Sequence, residues 1–474
     1  MNAEVNRILQ KVLKRITPTR EQRKRVEQLA RRLQEKVSQT AREMGVTAEV
    51  RVEGSVAKDT WLSEEPEIDI FMQIPPELPR EMLGNVCLKV AKKAVEGAKQ
   101  VERFAEHPYL EAFVDNVRIN IVPCYRVKKG EWKSATDRTP YHTEYVKKRL
   151  NEKLRGEVRL LKRFMKGIGV YGAEIKVGGF SGYLCELLAI SYGSFIGVLE
   201  NFAEWKGKTV IDLERYYEKR EDELRLMFPD PLVVVDPVDA GRNVAAAVRR
   251  EKIAEFVAAS RAFLEKPDEK FFYPPPIEPF NPKQIRVELR NRGSTLLFLT
   301  FGKVDAVSDV LWGQLYRTQK ALRALLETHD FHVLRTSAWS DENELNILVF
   351  ELEQATLPPV KRHLGPPLAK RRECKKFVDK YLGSERTVCG PFVEDSRWVV
   401  EVRREVVDAA EFLREKLRDG GRTVGVAGKI SDVLKEGFKV LLNEEVSDVY
   451  SSNREFARFL TGFLRGRPWW LERG

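Results

Sequence analysis

Two short motifs carry the most chemistry in this sequence: Gly54-Ser55-Val56-Ala57-Lys58 and, a few residues later, Glu67-Ile68-Asp69-Ile70. On an extended strand residues two apart share a face, so the Glu67 and Asp69 carboxylates converge while Ile68 and Ile70 turn towards a core. Two like charges held that close call for a cation. Mg2+ takes oxygen ligands and bridges phosphates, and two such ions about 3.5–4 Å apart can activate a hydroxyl and stabilise a departing pyrophosphate. A Gly-Ser pair that leaves one strand and opens a helix presents backbone N–H groups, the Ser55 hydroxyl and nearby Lys58 to phosphate oxygens. The competing reading of the acidic pair is a solvated strand edge, and the adjoining Gly-Ser element argues against it.

Positioning these groups takes a small α/β unit. An amphipathic helix with a basic outer face is predicted over 20–45, where Val26, Leu29, Ala30, Leu33, Val37 and Ala41 recur at three and four residues. Strand-like runs at 48–52, 68–74, 112–115 and 117–122 surround a helical stretch at 81–99. From 145 to 204 the pattern is helical, with breaks at Gly167, Gly169, Gly172 and Gly178-Gly179. Residues 230–243 read as charged turns, 252–264 as a helix, and the proline run at 273–277 as the clearest domain boundary. Beyond it, strand-like 285–290, 294–301, 332–339 and 344–352 with a helix over 309–329 predict an α+β layer, and the last 100 or so residues read as helices with basic clusters.

A chain of 474 residues exceeds one core and predicts three or four domains. Lys and Arg number 82 against 71 Asp and Glu, a net charge of +11 that suits a polyanion such as RNA. The five cysteines are scattered without a C-x-x-C pair, which argues against a disulfide framework or zinc knuckle and for a reducing cytoplasm. No run of 18 apolar residues occurs, and residues 1–20 lack the pattern of an export signal.

The Gly-Ser element followed by carboxylate-x-carboxylate resembles the polymerase-beta superfamily of nucleotidyltransferases. Blocks at 105–109, 121–125, 137–140, 158–162, 171–173, 179–183 and 236–245 resemble, in the same order, archaeal class I tRNA CCA-adding enzymes. The resemblance implies a multidomain α/β and α+β chain: a polymerase-beta-like nucleotidyltransferase head (1–144), a helical nucleotide-binding neck (145–270), a ferredoxin-like RNA-binding body (271–372) and a mostly helical tRNA-binding tail (373–474). It implies addition of CCA to the 3′ end of tRNA from CTP and ATP, with Mg2+ as cofactor, in a cytoplasmic homodimer. Carried over position by position, Gly54, Ser55 and Lys58 would meet the triphosphate, Lys58 standing where many relatives have Arg. Glu67 and Asp69 would bind metal, His142, Lys162 and Tyr171 would complete the nucleotide pocket, and Arg242 would read the base edge. Taken singly, His142 reads equally as a helix cap, Lys162 as a solvated charge, Tyr171 as core and Arg242 as an ion-pair partner of Asp236 or Asp239.

One position departs from the family pattern. The third metal carboxylate would stand three residues before Pro123, where this chain has Asn120. An amide oxygen can ligate but brings no charge, so the catalytic and metal set here is Glu67, Asp69 and Asn120, with a weaker hold on the ion that serves the 3′-hydroxyl. Asp115 is no obvious substitute, being five residues away on an extended strand and so on the opposite face. Two alternatives stay open at this point: another RNA 3′-nucleotidyltransferase such as a poly(A) polymerase or oligoadenylate synthase, or a catalytically weakened RNA-binding relative. For RNA contact the sequence offers basic clusters, expected on helices, at 361–363, 370–372 and 375–376. It also offers Trp469 and Trp470, as base-stacking groups or as an apolar anchor.

Overall fold

The computed structural model describes residues 3–104 and 107–471, so Ala105 and Glu106 of the block at 105–109 lie outside the described residues. The chain divides within the proline run into two compact units, Met1–Pro276 with Pro468–Gly474, and Ile277–Arg467.

The first unit opens with α1 (Ala3–Ile16) and α2 (Arg20–Glu43). Thr19 caps α2: its side chain accepts from the N–H of Gln22, whose own side chain reciprocates at the backbone of Thr19. There follow β1 (Glu49–Glu53), the short α3 (Gly54–Lys58), β2 (Glu67–Ile74), α4 (Arg80–Ala94), β3 (Lys99–Phe104), β4 (Pro108–Val114) and β5 (Val117–Tyr125). The sheet order is β1-β2-β5-β4-β3, with β2 and β5 parallel and the other pairs antiparallel. Ile68, Ile70, Met72, Ile119 and Ile121 bury one sheet face against Val26, Leu29, Leu33 and Val37 of α2 and Leu83 and Val90 of α4. The alternation leaves Glu67, Asp69 and Asn120 on the other face. The expected helix over 81–99 stops at Ala94, because Gly97 (φ +86°) turns the chain into β3.

Next come α5 (Thr139–Arg149), α6 (Glu152–Gly167), α7 (Gly182–Tyr192), α8 (Phe195–Ala203), β6 (Thr209–Ile211), α9 (Glu221–Met227), β7 (Leu232–Asp236), β8 (Asp239–Asn243) and α10 (Arg250–Glu265). The charged turns expected at 230–243 are instead a hairpin. Leu232 and the β-branched Val233, Val234 and Val235 form a buried run, and the Asn243 side chain bonds the N–H of Val234 and the carbonyl of Leu232. Phe164, Phe195, Phe256, Phe263, Phe271 and Phe272 make the helical core, joined by Val5, Leu9, Val12 and Ile16 of α1. Trp469 and Trp470 pack on Phe271, with ring centroids 5.6 and 6.3 Å away. Of the two roles the sequence allows them, the structure shows the anchor.

In the second unit, α11 (Pro282–Asn291) replaces the strand expected at 285–290. Asn281 caps it, Pro282 sits in its first turn, and Ile285 and Leu289, four apart, bury together. After it run β9 (Thr295–Phe301), α12 (Ser308–Thr328), β10 (Val333–Ser340), β11 (Asn346–Leu352), β12 (Val360–Pro367), α13 (Arg371–Tyr381), β13 (Thr387–Glu394) and β14 (Arg397–Arg403). The unit closes with α14 (Ala409–Leu417), α15 (Gly428–Glu436), β15 (Phe438–Leu442), α16 (Ser447–Ser452) and α17 (Arg454–Arg465). Its larger sheet has the order β10-β11-β9-β15 and its smaller one β12-β14-β13. The segment expected as a mostly helical tail thus carries three strands, one of which completes the larger sheet. The cluster at 361–363 lies on β12 rather than on a helix, since Pro358-Pro359 and Pro366-Pro367 flank it and exclude helix from both sides. Among the described residues no single helix is long and apolar enough to cross a membrane.

Candidate active site

Asp69 and Asn120 are register partners on parallel neighbours, as are Glu67 and Arg118. The Asn120 amide donates to Glu67 Oε1 at 2.6 Å and to Asp69 Oδ1 at 2.9 Å, while Arg118 donates to Glu67 Oε2 at 2.5 Å. Asp69 keeps some solvent contact but is enclosed by protein. Burial first, and then the Glu67 charge, push its carboxyl up to about 7, and the Asn120 amide, Lys58 and Arg118 offset this only in part. The pair is therefore short of positive charge. Gly54 stands over it with φ +67°, and a Cβ there would lie 1.9 Å from Asp69 Oδ2, so only glycine lets α3 begin this close. Ser55, half-buried, opens the helix.

Oxygen donors two residues apart, charge-deficient and partly open to solvent, fit a hard divalent cation. The fit asks one thing of Asn120. Its N–H groups face the carboxylates, so ligation requires the amide to turn over and present Oδ1. Among the described residues there is no group of three or more His, Cys, Asp and Glu placed to hold a metal, because the third partner is this amide. Asp115 sits in the turn between β4 and β5 (φ +53°) and pairs with Arg32 at 2.8 Å, away from the acidic pair's face.

A second group lies behind α3. Lys58 is buried and its Nζ is 2.6 Å from Glu186 Oε2 on α7. Glu186 Oε1 accepts from the Thr60 hydroxyl at 2.6 Å and from Lys162 Nζ at 3.4 Å, and Lys162 also donates to the Thr60 carbonyl and hydroxyl at 3.2 and 3.1 Å. Burial pulls Lys162 below its ordinary value against the pull of Glu186. For Glu186 burial acts upwards, but the two lysines and Thr60 outweigh it and hold the carboxylate ionised. The Tyr171 hydroxyl closes this group, 3.0 Å from where a Cβ on Gly182 would lie. Burial and the charges of Glu186 and Glu67 raise that hydroxyl well above its ordinary value.

The third group centres on Asp236, fully buried at the end of β7. It accepts from His142 Nε2 at 2.9 Å, Arg242 Nη1 at 2.6 Å, the Tyr183 hydroxyl at 3.2 Å and the Val238 N–H at 3.1 Å. Burial alone would raise its carboxyl, and these donors together bring it down to about 2. Burial also lowers His142, so near neutral pH it serves as a neutral Nε2–H donor and the ionic partner of Asp236 is Arg242. The His142 ring stacks on Tyr183 with centroids 4.0 Å apart. Asp137 fixes the approach to α5 by accepting from the N–H groups of Tyr125, Lys133 and Ser134, and Arg138 beside it pairs with Asp239 at 2.7 Å. Lys58 electrostatically lowers both Asp69 and His142, so the three groups share one neighbourhood.

Every residue expected at the site thus falls into one of these groups. Arg242 pairs with Asp236, one of the two acids that its competing ion-pair reading allowed. Glu186, Tyr183 and Arg118 were not anticipated. For Glu186 a signal was present, a lone charge in the apolar run from Leu184 to Ile190, which in a buried helix must find a partner.

Three family descriptions match this chain: a nucleotidyltransferase domain over residues 26–142, the second domain of tRNA nucleotidyltransferase over 156–273, and the C-terminal domain of CCA-adding enzyme over 292–443. The chain is 38% identical to the CCA-adding enzyme of Methanothermobacter thermautotrophicus over 97% of both chains. The chain belongs to the CCA-adding enzyme family. It is also 38% identical to the CCA-adding enzyme of Methanosarcina barkeri, over 91% of this chain and 93% of that one, and 37% identical to that of Halobacterium salinarum, over 91% and 92%. The resemblance read from motifs between residues 54 and 245 therefore extends along nearly the whole chain. Within the CCA-adding enzyme family, the first sheet of this chain belongs to the nucleotidyltransferase domain.

Proposed function

We propose that this chain adds the 3′-terminal CCA of tRNA without a nucleic-acid template, joining CMP, CMP and AMP from CTP and ATP with release of pyrophosphate. The observation that carries this reading is the near full-length likeness to CCA-adding enzymes, joined to a charge-deficient carboxylate pair beside a buried lysine. It disfavours a poly(A) polymerase or a binding protein alone.

In this reading Glu67 and Asp69, with Oδ1 of a turned Asn120, hold Mg2+. When bound, the ion makes the 3′-hydroxyl easier to deprotonate and balances charge on the leaving pyrophosphate. Ser55 and Lys58 receive the triphosphate. Lys162, its donors engaged inward, supports Lys58 from behind, and Tyr171 closes the pocket. Asp236 holds one nitrogen of Arg242 and leaves the remaining N–H groups of the guanidinium to pair with a base edge. His142, neutral and stacked on Tyr183, holds Asp236 from the other side. The exposed Arg371, Arg372, Lys375 and Lys376 of α13 supply phosphate contacts to the acceptor arm. We extend the reading to a cytoplasmic homodimer, which sedimentation would test.

The test uses tRNA ending at the nucleotide before CCA, with Mg2+ and all four nucleoside triphosphates. The expected product is longer by three nucleotides, CCA, and growth then stops. Long adenylate tails would establish the poly(A) polymerase reading instead, and tRNA binding without incorporation would establish the weakened relative.

A further inference from the structure

Glu186 is a carboxylate fully enclosed beside a site meant for polyanions, where its charge by itself would repel the ligand. We infer that Glu186 is the positioning residue of the triphosphate site, holding the Lys58 ammonium in one place while Lys162 and Thr60 hold Glu186 from behind. This rests on the reading above that Lys58 meets the triphosphate.

The geometry is divided by oxygen. Oε2 is given to Lys58 at 2.6 Å, and Oε1 takes the Thr60 hydroxyl at 2.6 Å and Lys162 at 3.4 Å. The carboxylate thereby joins α3, α6, α7 and the Thr60 loop at one point. A lysine side chain is a flexible stem ending in three donors, and it binds phosphate well only if its freedom has been removed beforehand. Glu186 takes one of the three protons of Lys58 and leaves the others for phosphate oxygens. The contacts of Lys162 point inward, to Thr60 and Glu186. Its part is to hold the buried acid from the far side and to share with Lys58 in neutralising it.

The sign of the effect follows from the charges. With both lysines protonated and Glu186 ionised, the group carries a net +1. Removing the carboxylate takes away the strongest upward influence on buried Lys162, which burial already pulls below its ordinary value, so a further fall in Lys162 offsets part of the positive charge that the substitution unmasks. Any charge that Lys162 keeps stays turned inward on Thr60, so what the substitution removes on the phosphate side is the hold on Lys58. Affinity falls rather than rises.

The test needs binding, not turnover. CTP and inorganic tripolyphosphate are titrated calorimetrically into the full-length chain and into Glu186→Gln, Lys58→Ala and the double variant, and tRNA affinity is measured for each. We expect Glu186→Gln to bind both probes about tenfold more weakly and the double variant to bind no more weakly than Lys58→Ala, because Glu186 acts through Lys58. Affinity for tRNA should stay within about twofold. Equal or tighter binding by Glu186→Gln overturns the inference, as do losses that add in the double variant. A fall in tRNA affinity that matches the fall in tripolyphosphate affinity also overturns it, since that is the signature of general framework damage. A parent chain that binds neither probe sinks the functional reading as well, whereas a parent that binds and a Glu186→Gln variant indistinguishable from it sink this inference alone.

Discussion

Asn120→Asp makes the acidic site trade stability for metal affinity, and the structure sets the size of the trade. The Asn120 amide makes two hydrogen bonds to carboxylates, at 2.6 and 2.9 Å. A hydrogen bond to a charged group contributes about 1.5–3 kcal/mol, so losing both costs about 3–6 kcal/mol, and proton uptake by the new carboxyl limits the added repulsion. That figure applies in chelator. With Mg2+ the added carboxylate is a ligand, and a hundredfold gain in affinity would return about 2.7 kcal/mol at saturating ion. The assay is denaturant unfolding of parent and Asn120→Asp, each in EDTA and in Mg2+, beside Mn2+ binding followed by its paramagnetic resonance signal. The variant should unfold at lower denaturant in EDTA, recover about half or more of the difference in Mg2+, and bind Mn2+ more tightly. A variant as stable as the parent in EDTA, or one no more responsive to Mg2+, would refute the reasoning that the amide stands in for a cation.

Other consequences are open to measurement. Gly54→Ala places a Cβ 1.9 Å from Asp69 Oδ2 at a φ of +67°. The backbone strain alone costs about 1–2 kcal/mol, and Mn2+ binding should be lost while circular dichroism shows the helices intact. Asp236 is held at about 2 against an ordinary 3.8, so its stabilisation is present above pH 4 and disappears as pH falls through 2. Arg242→Ala removes its ionic partner, and acid unfolding should then begin at higher pH; an unchanged acid midpoint would count against the pairing. Trp469→Ala strips a half-buried ring from Phe271 and should cost about 2 kcal/mol by thermal unfolding, around half of a full aromatic truncation. Affinity for tRNA should be unaffected, and a selective loss of RNA binding would restore the stacking role.

Much of this was legible in the sequence for physical reasons. The period-two alternation of Ile68, Ile70 and Met72 against Glu67 and Asp69 defines which face of β2 is core, and the acidic pair follows from it. The helical spacing in α2 was equally plain. What failed were short segments whose identity depends on neighbours. The run at 285–290 has β-branched residues but becomes a helix because Asn281 and Pro282 start one, and the valines of β7 needed a partner strand that the charged turn around them concealed. At the site, spacing found Glu67 and Asp69, whereas His142, Lys162 and Arg242 came only with the family resemblance. Glu186 and Tyr183 were missed because their partners, Lys58 and Asp236, are 128 and 53 residues away in sequence.

With Asn120 in place, the chain is expected to be a working enzyme. The deciding measurement is single-turnover incorporation of labelled CTP and ATP into tRNA trimmed of its CCA, with saturating Mg2+ and no substitution in the protein. Ordered addition of C, C and A is expected. Bound tRNA that gains no nucleotide, while Asn120→Asp completes the CCA under the same conditions, would contradict it.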